Sequence, residues 1–105
     1  MSPTMTASEF VEHTHLPDWS ALDHRIEARF RGRTFGVGGV FVAAIAHIAD
    51  AQDHHPDIEL AYPGIVHITL TTHASGGITD QDVTLAQSIS VLAASLNVVT
   101  APNPT

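Results

Sequence analysis

The residues of this chain whose types and spacing could do chemistry are Asp53-His54-His55-Pro56 and, one strand later, Thr72-His73. An imidazole exchanges protons near neutral pH, so two adjacent histidines pinned by a proline, together with a third, read as a small proton-transfer site. Pro56 pushes His55 out of the helical region while His54 still belongs to the end of a helix. The two rings therefore diverge and could serve different atoms of one ligand. The carboxyl end of that helix, with Asp50, Asp53 and Asp57 nearby, favours the cationic form of both. His73 has Thr71 and Thr72 beside it as hydrogen-bond partners. His67 shares its strand face but lies roughly 20 Å away at the rise of a strand. One small-molecule site cannot hold both, and His67 is expected to be structural or solvent-facing.

Other readings compete for the same residues. A His-His pair taken alone is often a loop pair of no consequence. A metal site is a second alternative, but His-His-Pro is not a usual ligand spacing and no cysteine or His-x-x-x-His pair supports it. Gly36-x-Gly38-Gly39 follows an expected short strand but lacks the fuller phosphate-loop fingerprint, and its helix is better explained as core. No metal and no cofactor are expected.

The elements that would position the histidines follow from periodicity. Thr6 or Ser8 could cap a short helix through Glu9–Glu12, and Leu16-Pro17-Asp18-Trp19 reads as a loop. Ile26, Ala28 and Phe30 alternate with Arg25, Glu27, Arg29 and Arg31 as in a half-buried strand, and Gly32 lets Arg33-Thr34-Phe35 pair back as a second strand. Val37, Val40, Phe41, Ala44, Ile45, Ile48 and Ala49 then follow three-and-four spacing, predicting a helix from about residue 37 to 52 with His47 off the stripe. Beyond Pro56 a strand places Ile58, Leu60 and Tyr62 inward. After the turn signal Pro63-Gly64 another puts Val66, Ile68 and Leu70 on one face and His67, Thr69, Thr71 and His73 on the other. Thr79-x-x-Asp82 is a capping box opening a last helix, with Val83, Ala86, Ile89, Ala93 and Leu96 as its buried stripe. Residues 1–5 and 97–105 are expected to be disordered tails. The order α-β-β-α-β-β-α makes a single α+β domain over residues 1–105, a four-stranded antiparallel sheet with about three helices on one face.

Composition bounds what such a domain could do. At 105 residues the chain has room for one modest core, and 44% hydrophobic residues is too many for a disordered protein. A formal charge of −7, with Arg25, Arg29, Arg31 and Arg33 as its four positive side chains, argues against direct nucleic-acid binding. Those arginines suit a solvated face or an oligomer contact better. No apolar run approaches the ~18 residues of a membrane span and the start has no signal-peptide layout, so the expected setting is the cytosol, without membrane attachment. The absence of cysteine removes disulfide and thiolate chemistry.

Asp53-His54-His55-Pro56, Tyr62, Val66-His67-Ile68-Thr69-Leu70-Thr71-Thr72-His73, Gly76-Gly77-Ile78-Thr79-x-x-Asp82 and Leu85-Ala86 together resemble the pterin-4a-carbinolamine dehydratase family. The similarity extends over about residues 16–96, and Trp19 and the apolar helix fall where that family has them. The resemblance implies dehydration of a 4a-hydroxytetrahydropterin to the quinonoid dihydropterin without metal or cofactor. It carries three active-site histidines onto His54, His55 and His73, and pterin-binding positions onto Asp53, Pro56, Thr71, Thr72 and Ala74. It also implies a homodimer or homotetramer, as the exposed edges of a four-stranded sheet would. The chain departs from the family's pattern at Ala74, where an acidic residue is common, at Ile58, where an aromatic is frequent, and at Gln81, where some members have arginine. A reading of another class stays beside catalysis: a non-catalytic scaffold acting as a dimerisation or assembly cofactor for another protein, as some members of the family do.

Overall fold

A computed structural model describes residues 3–102. Helix α1 (Ala7–His13) starts at Thr6, whose hydroxyl accepts from the Glu9 amide while the Glu9 carboxylate accepts from the Thr6 amide. This reciprocal box satisfies two backbone donors that a helix start leaves free. Strands β1 (Ser20–Leu22) and β2 (Arg25–Arg31) form a tight hairpin, and helix α2 spans Phe35–Gln52. Strands β3 (Asp57–Ala61) and β4 (Ile65–Leu70) follow, then a 3-10 turn (His73–Ser75), helix α3 (Asp80–Ser95) and a short β5 (Val99–Thr100). The strands are antiparallel in the order β1-β2-β4-β3, with β5 pairing to the far end of β2. This is the α+β architecture expected from the periodicity.

One face of the sheet carries the core. Ile26, Ala28 and Phe30 of β2 and Val66, Ile68 and Leu70 of β4 are buried against Phe10 of α1, Phe41 and Ile45 of α2, and Leu85, Ala86 and Ile89 of α3. Phe30 stands edge-on to both Phe41 and Trp19. The opposite face presents Arg25, Glu27, Arg29, His67 and Thr69. His67 lies 3.7 Å from Glu27 there, away from the other histidines, as its position in the strand required.

Four expectations are corrected. Arg33–Phe35 is not a strand: the Thr34 hydroxyl accepts from the Val37 amide and starts α2 two residues before Val37, and the partner of β2 is Ser20–Leu22. The cause is a crossing of two backbones at glycines. The Gly32 amide donates to the Gly64 carbonyl, and Gly64, at φ 147°, passes so close that a Cβ there would lie 2.8 Å from the Thr34 carbonyl oxygen. No chain can run straight on through that contact.

Tyr62 does not face inward. It lies beyond the end of β3 in the turn and is 89% exposed. The stretch from Asn97 is ordered through Pro102. Val98 is buried in the core, β5 pairs with β2, and the Ala101 amide donates to the Arg29 carbonyl. At the other end Met5 bridges to Ile78; residues 1–2 and 103–105 lie outside the described chain. Finally, α2 has 18 residues at mean hydropathy 1.4, long and apolar enough by length and composition to cross a membrane. No unbroken apolar run marked it because glycine, alanine, His47 and Asp50 interrupt the larger side chains. Its Phe41, Ile45 and Ala49 are buried along one face, while Phe35 and Val40 are exposed.

Candidate active site

The end of α2 places the histidine pair. Asp53 caps the helix in the left-handed conformation (φ 51°, ψ 41°), and the His54 amide reaches back to the Ala49 carbonyl. Asp tolerates this geometry better than most residues other than glycine and asparagine. The reversal turns His54 inward toward α3. Pro56 then holds the chain extended into β3, leaving His55 at the surface, where its Nε2 lies 2.9 Å from an Asp50 oxygen. The two rings diverge.

His54 is the anchored member. Its Nε2 is 2.6 Å from Oδ1 of Asp82, and its side chain is only 10% exposed against 0% for the carboxylate. The other carboxylate oxygen accepts from the Thr72 hydroxyl at 2.8 Å and from the Thr79 amide at 2.9 Å. Thr72 and Thr79 hydroxyls lie 2.7 Å apart. Proton arithmetic orders this network. A carboxylate is acceptor-only, so the Thr79 hydroxyl donates to Thr72, Thr72 donates to Asp82, and His54 donates from Nε2. Neutral His54 then has its unprotonated nitrogen at Nδ1. A buried carboxylate with donors on both oxygens has its polar groups satisfied, which the interior demands.

His73 does not end a strand. It begins the 3-10 turn after β4, is exposed, and carries no side-chain hydrogen bond among the described residues. The turn is shaped by the Thr72 carbonyl, which accepts from the amides of Ser75 and Gly76.

One cleft of about 330 Å³ is lined by Asp53, His54, His55, Thr71, Thr72, His73, Ala74 and Gln81. It brings together every candidate read from the sequence except Pro56. That residue lies outside the lining, because its ring directs the chain into β3 and its effect is on His55. Two candidates are committed elsewhere. Thr71 donates to the His24 carbonyl of the β1–β2 turn at 2.6 Å, and Thr72 donates inward to Asp82, so neither serves His73 as a partner.

Sequence reasoning named Gln81 only as a departure from the family's pattern, not as a site residue, and missed the role of Asp82. Asp82 was legible as the N3 residue of a capping box. An aspartate there in place of the usual glutamate was the available signal, since the shorter side chain stays near the helix start, where it can also meet a group from outside.

Known proteins are similar to this chain in sequence and in fold. The family described as pterin 4 alpha carbinolamine dehydratase matches residues 3–92. A protein of Picosynechococcus sp. bearing the provisional name pterin-4-alpha-carbinolamine dehydratase is 38% identical over 87 residues, 82% of this chain and 94% of its own. One of Cyanothece sp. with the same provisional name is 43% identical over 77 residues, 73% of this chain and 78% of its own. Among solved structures, a transcriptional coactivator/pterin dehydratase from Brucella melitensis superposes with a TM-score of 0.79 at 32% identity, covering 87% of this chain and 99% of its own. A pterin dehydratase-like protein identified as a RuBisCO assembly factor in the alpha-carboxysome has the same fold, with a TM-score of 0.61 at 22% identity over 77% of this chain and 96% of its own.

Proposed function

This chain belongs to the pterin-4a-carbinolamine dehydratase family, and from that premise we propose that it is a hydro-lyase converting a 4a-hydroxytetrahydropterin to the quinonoid dihydropterin and water. The observation that carries the reading is the single cleft holding His54, His55 and His73, with His54 tied to a buried carboxylate. In the reaction the C4a–O bond breaks with its electron pair leaving on oxygen, a ring nitrogen supplies the pair for the new C=N bond, and that nitrogen loses its proton. An acid must protonate the departing hydroxyl and a base must take the nitrogen's proton, each contributing on the order of 10²–10⁴ in rate.

The hydrogen bonds favour His54 as the base. Donation from Nε2 to Asp82 leaves Nδ1 as acceptor, and the imidazolium formed on proton uptake keeps the carboxylate as its partner. His73, without a side-chain partner among the described residues, is the acid. His55, tethered to Asp50, positions the substrate with Asp53 and the Ala74 backbone. No metal or cofactor enters the scheme. The test is dehydration of freshly generated carbinolamine by His73→Ala. A fall of about 10²-fold is expected, and an unchanged rate removes His73 from the mechanism.

A second reading rests on the alpha-carboxysome relative, which shares the fold and is described as an assembly factor. On it the chain would be a scaffold, a dimerisation or assembly cofactor for another protein. Protein inert on carbinolamine that co-purifies with a partner would establish it over catalysis. In either reading the protein is a cytosolic homodimer or homotetramer. Edge strand β3 and the exposed Phe35 and Val40 of α2 offer surface for self-association.

A further inference from the structure

On the sheet face turned away from the core, one row differs from the rest. Register places Val99 of β5, Arg31 of β2, Ile65 of β4 and Ala61 of β3 side by side across four strands on that face. Directly paired side chains stand about 5 Å apart, so the four form a continuous strip. The rows beyond it carry Arg29, His67 and Glu59, then Glu27, Thr69 and Asp57, the polar set of a solvated sheet face. The end row is apolar except for its arginine. Val99 is 61% exposed, Arg31 and Ala61 are exposed, and Ile65 is half-buried.

Two loops rim the strip and are tied to each other. Tyr62, the most exposed of the large apolar side chains, follows Ala61 in a turn closed by the Gly64 amide, which donates to the Ala61 carbonyl at 2.9 Å. Exposed Arg33 lies just past Gly32, whose amide donates to the Gly64 carbonyl at 3.0 Å. The backbone crossing thus fixes both loops at one end of the sheet, which lowers the cost of ordering them against a partner.

Charge selects the partner. Residues 28–49, 60–79 and 83–105 supply the whole strip and its rim, and they contain no Asp or Glu in a chain of net charge −7. Arg31 and Arg33 have no ion-pair partner among the described residues. Guanidinium groups hold carboxylates bidentately, and Tyr and Arg beside aliphatic side chains are the composition of an interface core. Two arginines without a lysine neutralise too few phosphates to hold nucleic acid, and an acidic chain is repelled by an anionic bilayer.

We propose that Val99, Arg31, Ile65, Ala61, Tyr62 and Arg33 form a docking surface for an acidic segment of another protein. Its carboxylates meet the two arginines, and an aromatic or aliphatic side chain lies on the apolar strip. The surface is at the end of the molecule where α2 begins, and the histidine cleft is where α2 ends, roughly 27 Å away along its 18 residues. The inference does not rest on the dehydratase reading, and a bound segment leaves the cleft open.

The experiment measures fluorescence anisotropy of three labelled synthetic peptides on the full chain. One alternates Glu with Leu and Phe, one has Gln in place of Glu, and one has Ser in place of Leu and Phe. Expected is binding of the first about tenfold tighter than of either other. It should weaken as salt rises from ~0.1 M to ~1 M and the Debye length falls from about 10 Å to about 3 Å. Arg31→Gln, Arg33→Gln and Tyr62→Ser should each lose about tenfold, while Val11→Ser on α1 changes nothing. Carbinolamine dehydration by all four should match wild type. A wild type inert on carbinolamine sinks the dehydratase reading, and the peptide result then decides the surface by itself. No binding of the first peptide, equal binding of the glutamine peptide, or an Arg31→Gln/Arg33→Gln variant with its affinity intact overturns the surface. A single-stranded oligonucleotide or phosphatidylserine vesicles binding in its place, or sedimentation showing a second copy held through Tyr62 and Val99, overturns the acidic segment as occupant.

Discussion

Replacing Asp82 by asparagine changes no volume and moves one proton. Asp82 accepts from three donors: the Thr72 hydroxyl and Thr79 amide on one oxygen, His54 Nε2 on the other. In Asp82→Asn the amide oxygen keeps the first two, so its NH2 faces His54 across the former 2.6 Å contact. Two N–H groups cannot face each other there. His54 must shift its proton to Nδ1 and accept at Nε2, and the nitrogen assigned as base is then blocked. The hydrogen-bond count is kept, while all three bonds to the carboxylate lose their charge assistance, offset in part because a charge no longer has to be buried, for a net cost of about 1–2 kcal/mol to folding. For a domain of this size that is a fall in Tm of roughly 4–16 °C. Activity should fall much further, by about 10²–10⁴ in kcat, the size of a general-base contribution. Asp82→Ala separates the two effects. It orphans the buried Thr79 amide and His54 Nε2, at about 1–3 kcal/mol each, while the Thr72 and Thr79 hydroxyls can keep one another. That variant should lose about 3–5 kcal/mol and much of its soluble yield. Dehydration kinetics on folded Asp82→Asn, with nitrogen-15 shifts of the His54 ring to read its tautomer, is the assay. A well-folded Asp82→Asn with a kcat within about twofold of wild type would refute the assignment of His54 as base.

Four further outcomes follow from the packing. Gly64→Ala should destabilise by about 1–3 kcal/mol in denaturant melts, because a Cβ at φ 147° meets the Thr34 carbonyl at 2.8 Å. Deleting residues 97–105 should cost about 2–4 kcal/mol, since it removes the buried Val98 and the β5 pairing; an unchanged melt would show that this end of the chain carries no packing. Trp19→Phe should lose about 1 kcal/mol through the 2.9 Å hydrogen bond from the indole N–H to Ser90, leaving Ser90→Ala with little further effect in that background. Glu9 should titrate below the usual carboxylate range, chiefly because the Thr6 backbone amide donates to it. A lowered folded value means that the cap's contribution is full above the unfolded pKa and lost as pH falls through the lowered one, and NMR titration of α1 in wild type and Glu9→Gln checks this.

The sequence by itself determined the elements whose signals are local. The alternation of Ile26, Ala28 and Phe30, and of Val66, Ile68 and Leu70, set two strands and their buried face, because side-chain direction in a strand depends only on parity. Thr79-x-x-Asp82 marked a helix start, because a capping box closes within four residues. The histidine motif and the strand pattern named His54, His55 and His73, with Thr71 and Thr72 beside them, whereas Asp53 and Ala74 came only from the resemblance to the family. Tertiary structure alone decided the rest. That β2 pairs with Ser20–Leu22 rather than Arg33–Phe35 follows from the Gly32–Gly64 crossing, a contact between segments far apart in the chain. That Val98 is core depends on a space left at the far end of β2, which no local pattern in the Pro-rich tail reveals. Asp82 was legible as a cap. Its bond to His54, which turns one of three similar histidines into an oriented one, required α3 to be docked against the end of α2. Hydrogen bonds across 28 positions of sequence are set by packing, and packing is a property of the whole chain.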